Sequence, residues 1–449
     1  MLYTKFTRGA LCLALGLVTT PLRADDWPQW LGPNRDSIWR DTGIVEKFPA
    51  EGPPVRWRVN IGAGYSGPVV AKGRVYVTDR RLAQDASNPS DPFQQGSING
   101  GERVLCLNEA DGKVLWQHQY ECPYTISYPA GPRVAPLVGD GKLYSLGAQG
   151  NLFCLDAESG RVLWSHDFKK EYNIKPPMWG FAGHPLLHGN KLICLVGGAG
   201  TTLVAFDRNT GWETWRALTT EEPGYSSPIL CKAGGTQQLI LWQPEGADSV
   251  DPETGRLYWS VPFKSRSGLT VSTPRKLGDY LFFTSFYNGS LMLRLDSNKP
   301  AATPVWQTEK GNEKETTHLN SILCTPFLEK GYIYGVCSYG QLRCLKAETG
   351  ERVWETFKAT TSGEPIRWAN AFIVKNENRF FLLNESGDLI IARLSPQGYE
   401  ELSRAHLLEP ANKDPGRPVV WSHPAFANRC IYARNDKEIV CADLSQKPK

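Results

Sequence analysis

The chain has little net charge and no long hydrophobic run. Its 50 Lys and Arg nearly balance 46 Asp and Glu, which leaves a formal charge of +4. Three of the positive charges, on Lys5, Arg8 and Arg23, lie in the first 24 residues, so the remainder is close to neutral. A neutral chain lacks the basic footprint of a nucleic-acid-binding protein. No segment is long and apolar enough to predict a transmembrane helix.

Common catalytic signatures are also missing. The sequence contains no Gly-x-x-x-x-Gly-Lys-(Ser/Thr), no Gly-x-Ser-x-Gly and no His-Glu-x-x-His. Its 11 cysteines include no adjacent pair and no Cys-x-x-Cys-His, which excludes covalent c-type haem. Cys106, Cys154, Cys344 and Cys441 occupy equivalent positions of different repeats. Equivalent positions in separate sheets are too far apart for a disulfide, so we expect most cysteines to be buried thiols.

Residues 1–24 have the pattern of a secretory signal peptide. Lys5 and Arg8 form a basic start, Ala10 to Val18 is a short apolar stretch, and Ala24 offers a small residue for cleavage. The pattern predicts a periplasmic or secreted protein.

One signature, Asp-x-x-(Thr/Ser)-Gly-x-x-x-Trp, returns about every 50 residues. Its copies run from Asn108 to Trp116, Asp156 to Trp164, Asp207 to Trp215, Asp251 to Trp259, Asp296 to Trp306 (a frayed copy) and Lys346 to Trp354. The Asp and Thr/Ser suit a tight turn between two strands, and the Gly supplies its positive φ. Further Gly-containing hairpins lie upstream, and no segment of any length has helical periodicity.

Four antiparallel strands per repeat at this period predict an all-β fold, a β-propeller of four-stranded blades. The outer-strand Trp residues, with a degenerate unit around Tyr399, give eight blades. The last unit, His423 to Leu444, has only three strands, and Trp57 precedes any complete unit. We therefore expect Val55 to Val59 to close the ring as the outer strand of the last blade. The propeller would span residues 55–449, with residues 25–54 as a brace or plug across one face.

The repeats resemble the PQQ-type β-propeller repeat family over nearly the whole chain after the leader. That repeat occurs in quinoprotein alcohol dehydrogenases and in an outer-membrane assembly lipoprotein that binds no cofactor. The resemblance implies an envelope protein, and it leaves open a site for pyrroloquinoline quinone (PQQ) with calcium. In the dehydrogenases a Trp and a disulfide of adjacent cysteines hold PQQ, a Glu and an Asn hold the calcium, and an Asp is catalytic. No such set transfers to this chain residue by residue, so no cofactor, no metal ligand and no catalytic residue is predicted.

The entries to the innermost strands predict a ligand site, because in a propeller they surround the mouth of the central channel. The aromatic, basic and amide residues at these entries are Tyr65, Arg133, Trp179, His184, Tyr225, Trp368, Asn370 and His423. The two histidines could instead bond backbone carbonyls in the channel or form a two-His metal site. Trp179 and Trp368 could cap the core rather than stack on a ligand.

Two long excursions interrupt the repeats. Arg80 to Glu102 lies inside the first blade, and the Tyr-rich segment Tyr120 to Pro132 joins the first two blades. The second is either a contact surface or a packed crossover. Together these features favour a monomeric, non-catalytic binding or assembly scaffold for a protein or another cell-envelope ligand. The alternative is a PQQ-dependent oxidoreductase with a divergent site.

Overall fold

The computed structural model describes residues 25–308, 312–413 and 416–446. The predicted signal peptide lies outside these residues. The described chain forms eight antiparallel blades of four strands, which neighbour one another in chain order in blades 1 to 7, whereas blade 8 takes its fourth strand from the N-terminal part of the chain. This arrangement confirms the eight-bladed all-β propeller.

The strands of the first four blades have the following bounds. Blade 1 is Val69–Ala71, Arg74–Leu82, Gly100–Asn108 and Val114–Glu121; blade 2 is Leu137–Gly139, Lys142–Leu146, Asn151–Asp156 and Val162–Asp167; blade 3 is Leu186–His188, Lys191–Leu195, Leu203–Asp207 and Glu213–Ala217; blade 4 is Ile229–Ala233, Thr236–Gln243, Gly246–Val250 and Leu257–Pro262. The helical turns are Phe168–Tyr172 after blade 2 and a 3-10 turn, Arg266–Gly268, after blade 4.

The other four blades follow the same plan. Blade 5 is Arg275–Leu277, Tyr280–Ser285, Gly289–Leu295 and Ala302–Gln307; blade 6 is Phe327–Glu329, Tyr332–Val336, Leu342–Lys346 and Arg352–Thr356; blade 7 is Ala371–Asn376, Arg379–Asn384, Asp388–Ser395 and Gly398–His406; blade 8 is Ala425–Ala427, Cys430–Arg434, Glu438–Asp443 and Val55–Asn60. Val55–Asn60 pairs antiparallel with Glu438–Asp443, so the N-terminal strand closes the ring as expected. None of the helical segments in the described ranges is long and apolar enough to cross a membrane.

The repeated signature forms the turn between the third and fourth strands. In blade 2 the Asp156 carboxylate accepts hydrogen bonds from the Ser159 amide and hydroxyl, at 2.8 and 2.7 Å. These bonds stabilise the ionised form and hold the pKa of Asp156 below its usual value. Gly160 ends the turn at a φ of +73° and donates its N–H to the Asp156 carbonyl.

Each signature Trp wedges against the next blade. The ring of Trp116 lies against Gly160 of blade 2, and its Nε1 donates to the Ala157 carbonyl at 3.2 Å. Within its own blade Trp116 is the register partner of Cys106 on the third strand. Cys154, Cys344 and Cys441 oppose the Trp of their own blades in the same way. All ten cysteines of the described chain are buried free thiols, which confirms the expectation for this residue type.

Residues 25–54, the N-terminal brace, run across the inner strands on one face of the ring. Trp27 exchanges backbone hydrogen bonds at 2.9 Å in both directions with Val70, in the middle of the innermost strand of blade 1. Ile38–Trp39 adds a parallel strand to the inner edge of blade 7. The Val45 amide then bonds the Leu444 carbonyl of blade 8 at 2.9 Å. These contacts attach the N-terminal segment to blades 1, 7 and 8.

Candidate functional site

An aromatic cup opens at the mouth of the channel, on the face where the chain enters the innermost strands. It is a cavity of about 190 Å³. Its walls are Tyr65, Phe93, Tyr128, Arg133, Trp179, Tyr225, Tyr287, Trp368 and Trp421, and Ala182, Leu269, Val271, Ile322 and Leu323 add small and aliphatic surface. Arg133 is the charged side chain of this set. The surface of the cup is therefore mainly apolar and aromatic, as is common in ligand pockets.

The wall residues come from separate blades and contact one another in pairs. Trp179 meets Tyr225 edge to face with ring centroids 5.6 Å apart, and Tyr128 stacks on Trp421 at 6.4 Å. The Trp421 Nε1 donates to Glu385 at 3.2 Å, and Arg417 makes a bidentate ion pair with the same carboxylate. Burial raises the pKa of Glu385, and Arg417 opposes this shift. The indole N–H of Trp421 is therefore hydrogen-bonded to Glu385, and the apolar surface of the ring lines the cup.

Arg133 is held by the backbone of the Tyr-rich excursion. Its guanidinium donates to the carbonyls of Gly131, Ser127 and Tyr128, the last two at 3.0 and 2.6 Å. It also lies over the ring of Tyr65, 5.0 Å from the centroid. Arg133 therefore holds the loop in place and covers the Tyr65 ring. Several of its N–H groups are already bonded to the loop carbonyls.

The two excursions dock on each other and complete the cup. The Tyr128 amide donates to the Pro92 carbonyl at 2.7 Å, and the Ser127 hydroxyl donates to the Phe93 carbonyl at 3.2 Å. Phe93, which is 47% exposed, then reaches across the mouth to within 6.5 Å of Trp368, between ring centroids. The first excursion thus covers part of the mouth of the cup.

A buried carboxylate anchors the Tyr-rich excursion from below. Glu102 accepts the hydroxyl hydrogens of Tyr120 and Tyr124 and the Ala148 amide. Burial raises the pKa of both tyrosines far above their usual value, so the hydroxyls remain protonated donors. Arg80 lies over the opposite face of this cluster, 4.0 Å from the Tyr124 centroid. The excursion is therefore a packed crossover, and its Tyr128 lines the cup.

Five of the eight residues predicted for the site line the cup, namely Tyr65, Arg133, Trp179, Tyr225 and Trp368. His184 and His423 lie instead against Trp30 of the brace. His184 stacks on Trp30 with centroids 4.2 Å apart, and His423 is tilted against it at 4.9 Å. His184 Nδ1 bonds the Ser227 hydroxyl at 2.9 Å, and His423 Nδ1 bonds the Pro424 carbonyl at 2.7 Å. Trp30 thus forms a plug between the two imidazoles.

The third predicted residue outside the cup is Asn370, which is buried behind it. Its carbonyl accepts the Glu385 amide at 3.1 Å, and its side-chain Nδ2 has no partner within the described residues. Sequence reasoning missed Phe93, Tyr128, Tyr287 and Trp421 as wall residues. Phe93 and Tyr128 do lie on the two excursions, and Trp421 directly precedes Ser422 and His423 at an inner-strand entry. Location on an excursion or beside an inner-strand entry could therefore have indicated Phe93, Tyr128 and Trp421 as wall residues.

The cup does not fit PQQ and calcium. Calcium needs several oxygen ligands, usually carboxylates and carbonyls, and no Asp, Glu, Asn or Gln side chain lines the cup. PQQ carries three carboxylates, whereas the charged group of the cup, Arg133, already donates to three carbonyls. Within the described ranges, His, Cys, Asp and Glu side chains form no group of three or more suited to a metal ion. We therefore assign no step to this cofactor.

Comparison with known proteins places the chain in a family. The model of the family described as outer membrane protein assembly factor BamB matches residues 100–356 and again 298–449. No curated protein matches the chain.

Solved structures share the fold at low sequence identity. BamB from Moraxella catarrhalis is 16% identical with a TM-score of 0.52, over 83% of this chain and 99% of that one. The quinohemoprotein alcohol dehydrogenase ADHIIG from Pseudomonas putida HK5 is 13% identical with a TM-score of 0.57, over 94% and 81%. The designed protein Ika8 is 10% identical with a TM-score of 0.53, over 87% and 99%. The family model covers most of the chain, and the protein therefore belongs to the BamB family of PQQ-like repeat β-propellers.

Proposed function

We propose that this protein is a non-catalytic binding scaffold of the cell envelope that holds a protein partner in the aromatic cup. The observation that carries the proposal is the convergence of eight aromatic side chains on one concave mouth. Large apolar surfaces on a soluble protein mark binding sites, and Tyr and Trp supply rigid contact area at low entropic cost. The envelope location and the assembly role are carried over from the family description.

Backbone strain at the cup supports a functional role. Tyr128 and Trp368 adopt left-handed conformations, with φ of +54° and +65°. A bulky residue rarely adopts this region, and each instance costs about 1–3 kcal/mol. The surrounding contacts hold both rings at the mouth despite this cost. Such strain is concentrated at binding and catalytic sites in other proteins.

The chemistry of the walls favours binding over turnover. The hydroxyl of Tyr225, 3.5 Å from the Glu222 carboxylate, has its pKa raised by burial and by that carboxylate, so it stays protonated near neutral pH. Arg133 already donates to three loop carbonyls. Among the described residues, the cup walls include no His, Asp or Glu side chain, and the cup gains most from burying apolar side chains, worth about 1.5–3 kcal/mol each.

The proposal is tested by capture of envelope proteins with matched variants. Phe93, which is exposed at the rim of the cup, is replaced by a photo-crosslinking amino acid. The crosslinked envelope proteins are then identified by mass spectrometry. Trp421→Ala should remove the crosslink. Trp212→Ala serves as the control, because Trp212 is 79% exposed on the signature turn of blade 3 and lies outside the cup. Equal crosslinking by both variants would reject the cup as the binding site.

The alternative function, a PQQ-dependent oxidoreductase, is tested separately. The purified protein is titrated with PQQ and calcium while quinone absorbance and melting temperature are followed. The donor set of the cup leads us to expect neither signal. A stoichiometric spectral change together with a rise in melting temperature would replace the scaffold proposal with the oxidoreductase.

A further inference from the structure

A second cavity lies on the opposite side of the plug, between the brace and blades 3 to 5. Its volume is about 320 Å³. It is lined by Gln29, Pro33, Asn34, Arg35, Asp36, Leu186, Leu187, Ile229, Leu230, Pro274, Arg275 and Lys276. We call it the brace cavity. Unlike the aromatic cup, it brings together three cationic side chains and one carboxylate.

Arg35 is a buried cation without a carboxylate partner. It is 8% exposed, and it donates to the Gln29 side chain at 3.0 Å and to the carbonyls of Pro228, at 2.9 Å, and Pro185. These bonds use three of its five N–H groups. Burial lowers the pKa of Arg35 to about 9, and no acidic neighbour opposes the shift. The carbonyls satisfy hydrogen bonds but leave the charge itself uncompensated.

Arg275 places a second buried cation beside the first. It is also 8% exposed, and it donates to the backbone carbonyls of Arg35 at 3.1 Å and Asp36 at 2.7 Å. Burial lowers the pKa of Arg275 to about 10, and the Asp36 carboxylate only partly opposes the shift. That carboxylate is itself paired with Arg40. Of the two guanidinium groups, only that of Arg275 has an acidic neighbour, and this carboxylate already has another partner.

Two buried positive charges that line one cavity favour the binding of an anion there. An ion buried without a counterion loses much of its hydration, and a single anion bound near both guanidinium groups would offset both losses. Lys276 lines the same cavity with an exposed side chain whose ammonium donates to the Gly278 carbonyl at 2.6 Å, and it adds a third positive charge. The cavity has room for a small anion with water molecules.

We propose that the brace cavity is a binding site for a small oxyanion of the phosphate type, held between Arg35 and Arg275. The planar guanidinium matches two oxygens of such an anion at once. Because Arg35 belongs to the brace and Arg275 to blade 5, the bound anion ties the two together. The site is separate from the aromatic cup, and its test does not depend on the scaffold function.

The proposal is tested by calorimetric titration of the protein with inorganic phosphate in a phosphate-free buffer. The melting temperature is measured in parallel against sodium chloride at matched ionic strength. We expect saturable binding and a rise in melting temperature that chloride does not reproduce. Acetate, a planar anion with one charge, should bind more weakly than phosphate.

Three variants locate the binding. Lys276→Gln should weaken phosphate binding by roughly two- to fivefold, as expected for loss of an exposed charge. Arg275→Lys, which keeps the charge but loses the planar fork, should weaken it by roughly tenfold or more. Lys113→Gln, on an exposed turn of blade 1, is the control and should leave binding unchanged. A phosphate effect equal to that of chloride, or equal in Lys276→Gln and Lys113→Gln, would overturn the proposal even if Arg275→Lys failed to fold.

Discussion

Replacement of Gly160 by alanine tests the contact that joins neighbouring blades. A Cβ added at Gly160 would lie 2.5 Å from Cε3 of Trp116, and the three atoms nearest to it all belong to that ring. The backbone φ of +73° adds a second cost, because an L residue is strained there. Gly141 isolates this second cost: its φ is +76°, but a Cβ would meet nothing within 4 Å.

The two glycines therefore predict different losses of stability. Gly141→Ala should cost about 1–2 kcal/mol from the left-handed backbone alone. Gly160→Ala adds the displacement of the Trp116 ring, comparable with overpacking a core, for about 1–3 kcal/mol more. Trp116→Ala itself should cost about 3 kcal/mol, the low end for a large aromatic, because Trp116 is only partly buried. In the Trp116→Ala background the steric part of the Gly160→Ala cost should disappear.

The measurement is equilibrium unfolding in urea, followed by far-UV circular dichroism, for the four members of the Gly160–Trp116 double-mutant cycle and for Gly141→Ala with and without Trp116→Ala. The coupling free energy between Gly160 and Trp116 should be about 1–3 kcal/mol. The Gly141→Ala cost should be the same with and without Trp116. If Gly160→Ala and Gly141→Ala cost the same, the wedge between blades does not contribute to stability as argued.

Three further predictions follow from burial and closure. Burial lowers the pKa of His184 and lowers that of His423 to about 4; the unfolded chain therefore takes up protons first, and between about pH 6.5 and pH 4 the free energy of unfolding should fall by up to roughly 1.4 kcal/mol per pH unit for each imidazole, which lowers the melting temperature. A flat melting profile across that range would contradict the buried plug. Deleting residues 25–60 leaves the edge of Glu438–Asp443 unpaired, so size-exclusion chromatography should show aggregation, and a monodisperse, fully folded product would refute the closure. Burial raises the pKa of Cys231 to about 11, so a thiol reagent should label the buried cysteines only after unfolding, and rapid labelling of native protein would show that the blades open.

The propeller could be predicted because its determinants are local and repeated. Asp156, Ser159 and Gly160 close a turn by bonds that span four residues, so the same letters give the same turn in each blade. The Trp at a fixed distance beyond the Gly then meets the next turn in the ring. The closure by Trp57 followed from counting strands, since the last unit lacked its fourth.

The cup could be predicted only in part, because its walls depend on loops that do not repeat. Arg133 and Trp179 stand next to inner-strand entries, and position alone placed them at the mouth. Phe93 reaches the cup through the docking of two excursions, and nothing in the spacing of the sequence predicts that contact. A brace or plug formed by residues 25–54 was predicted, but the stacking of Trp30 on His184 was not, because the two residues lie far apart in the sequence.

The two ends of the channel differ, and this difference determines how a ligand would reach the cup. From one side Trp30 fills the space between His184 and His423, and its Nε1 donates to the Thr273 hydroxyl at 2.9 Å. From the other side the cup stays open, with Phe93 half exposed above it. A ligand can therefore reach the cup from one face of the ring only. Because its gain comes mainly from apolar burial, binding should show a negative heat-capacity change and little dependence on salt; a strong loss of affinity with salt would instead assign the recognition to charges at the rim.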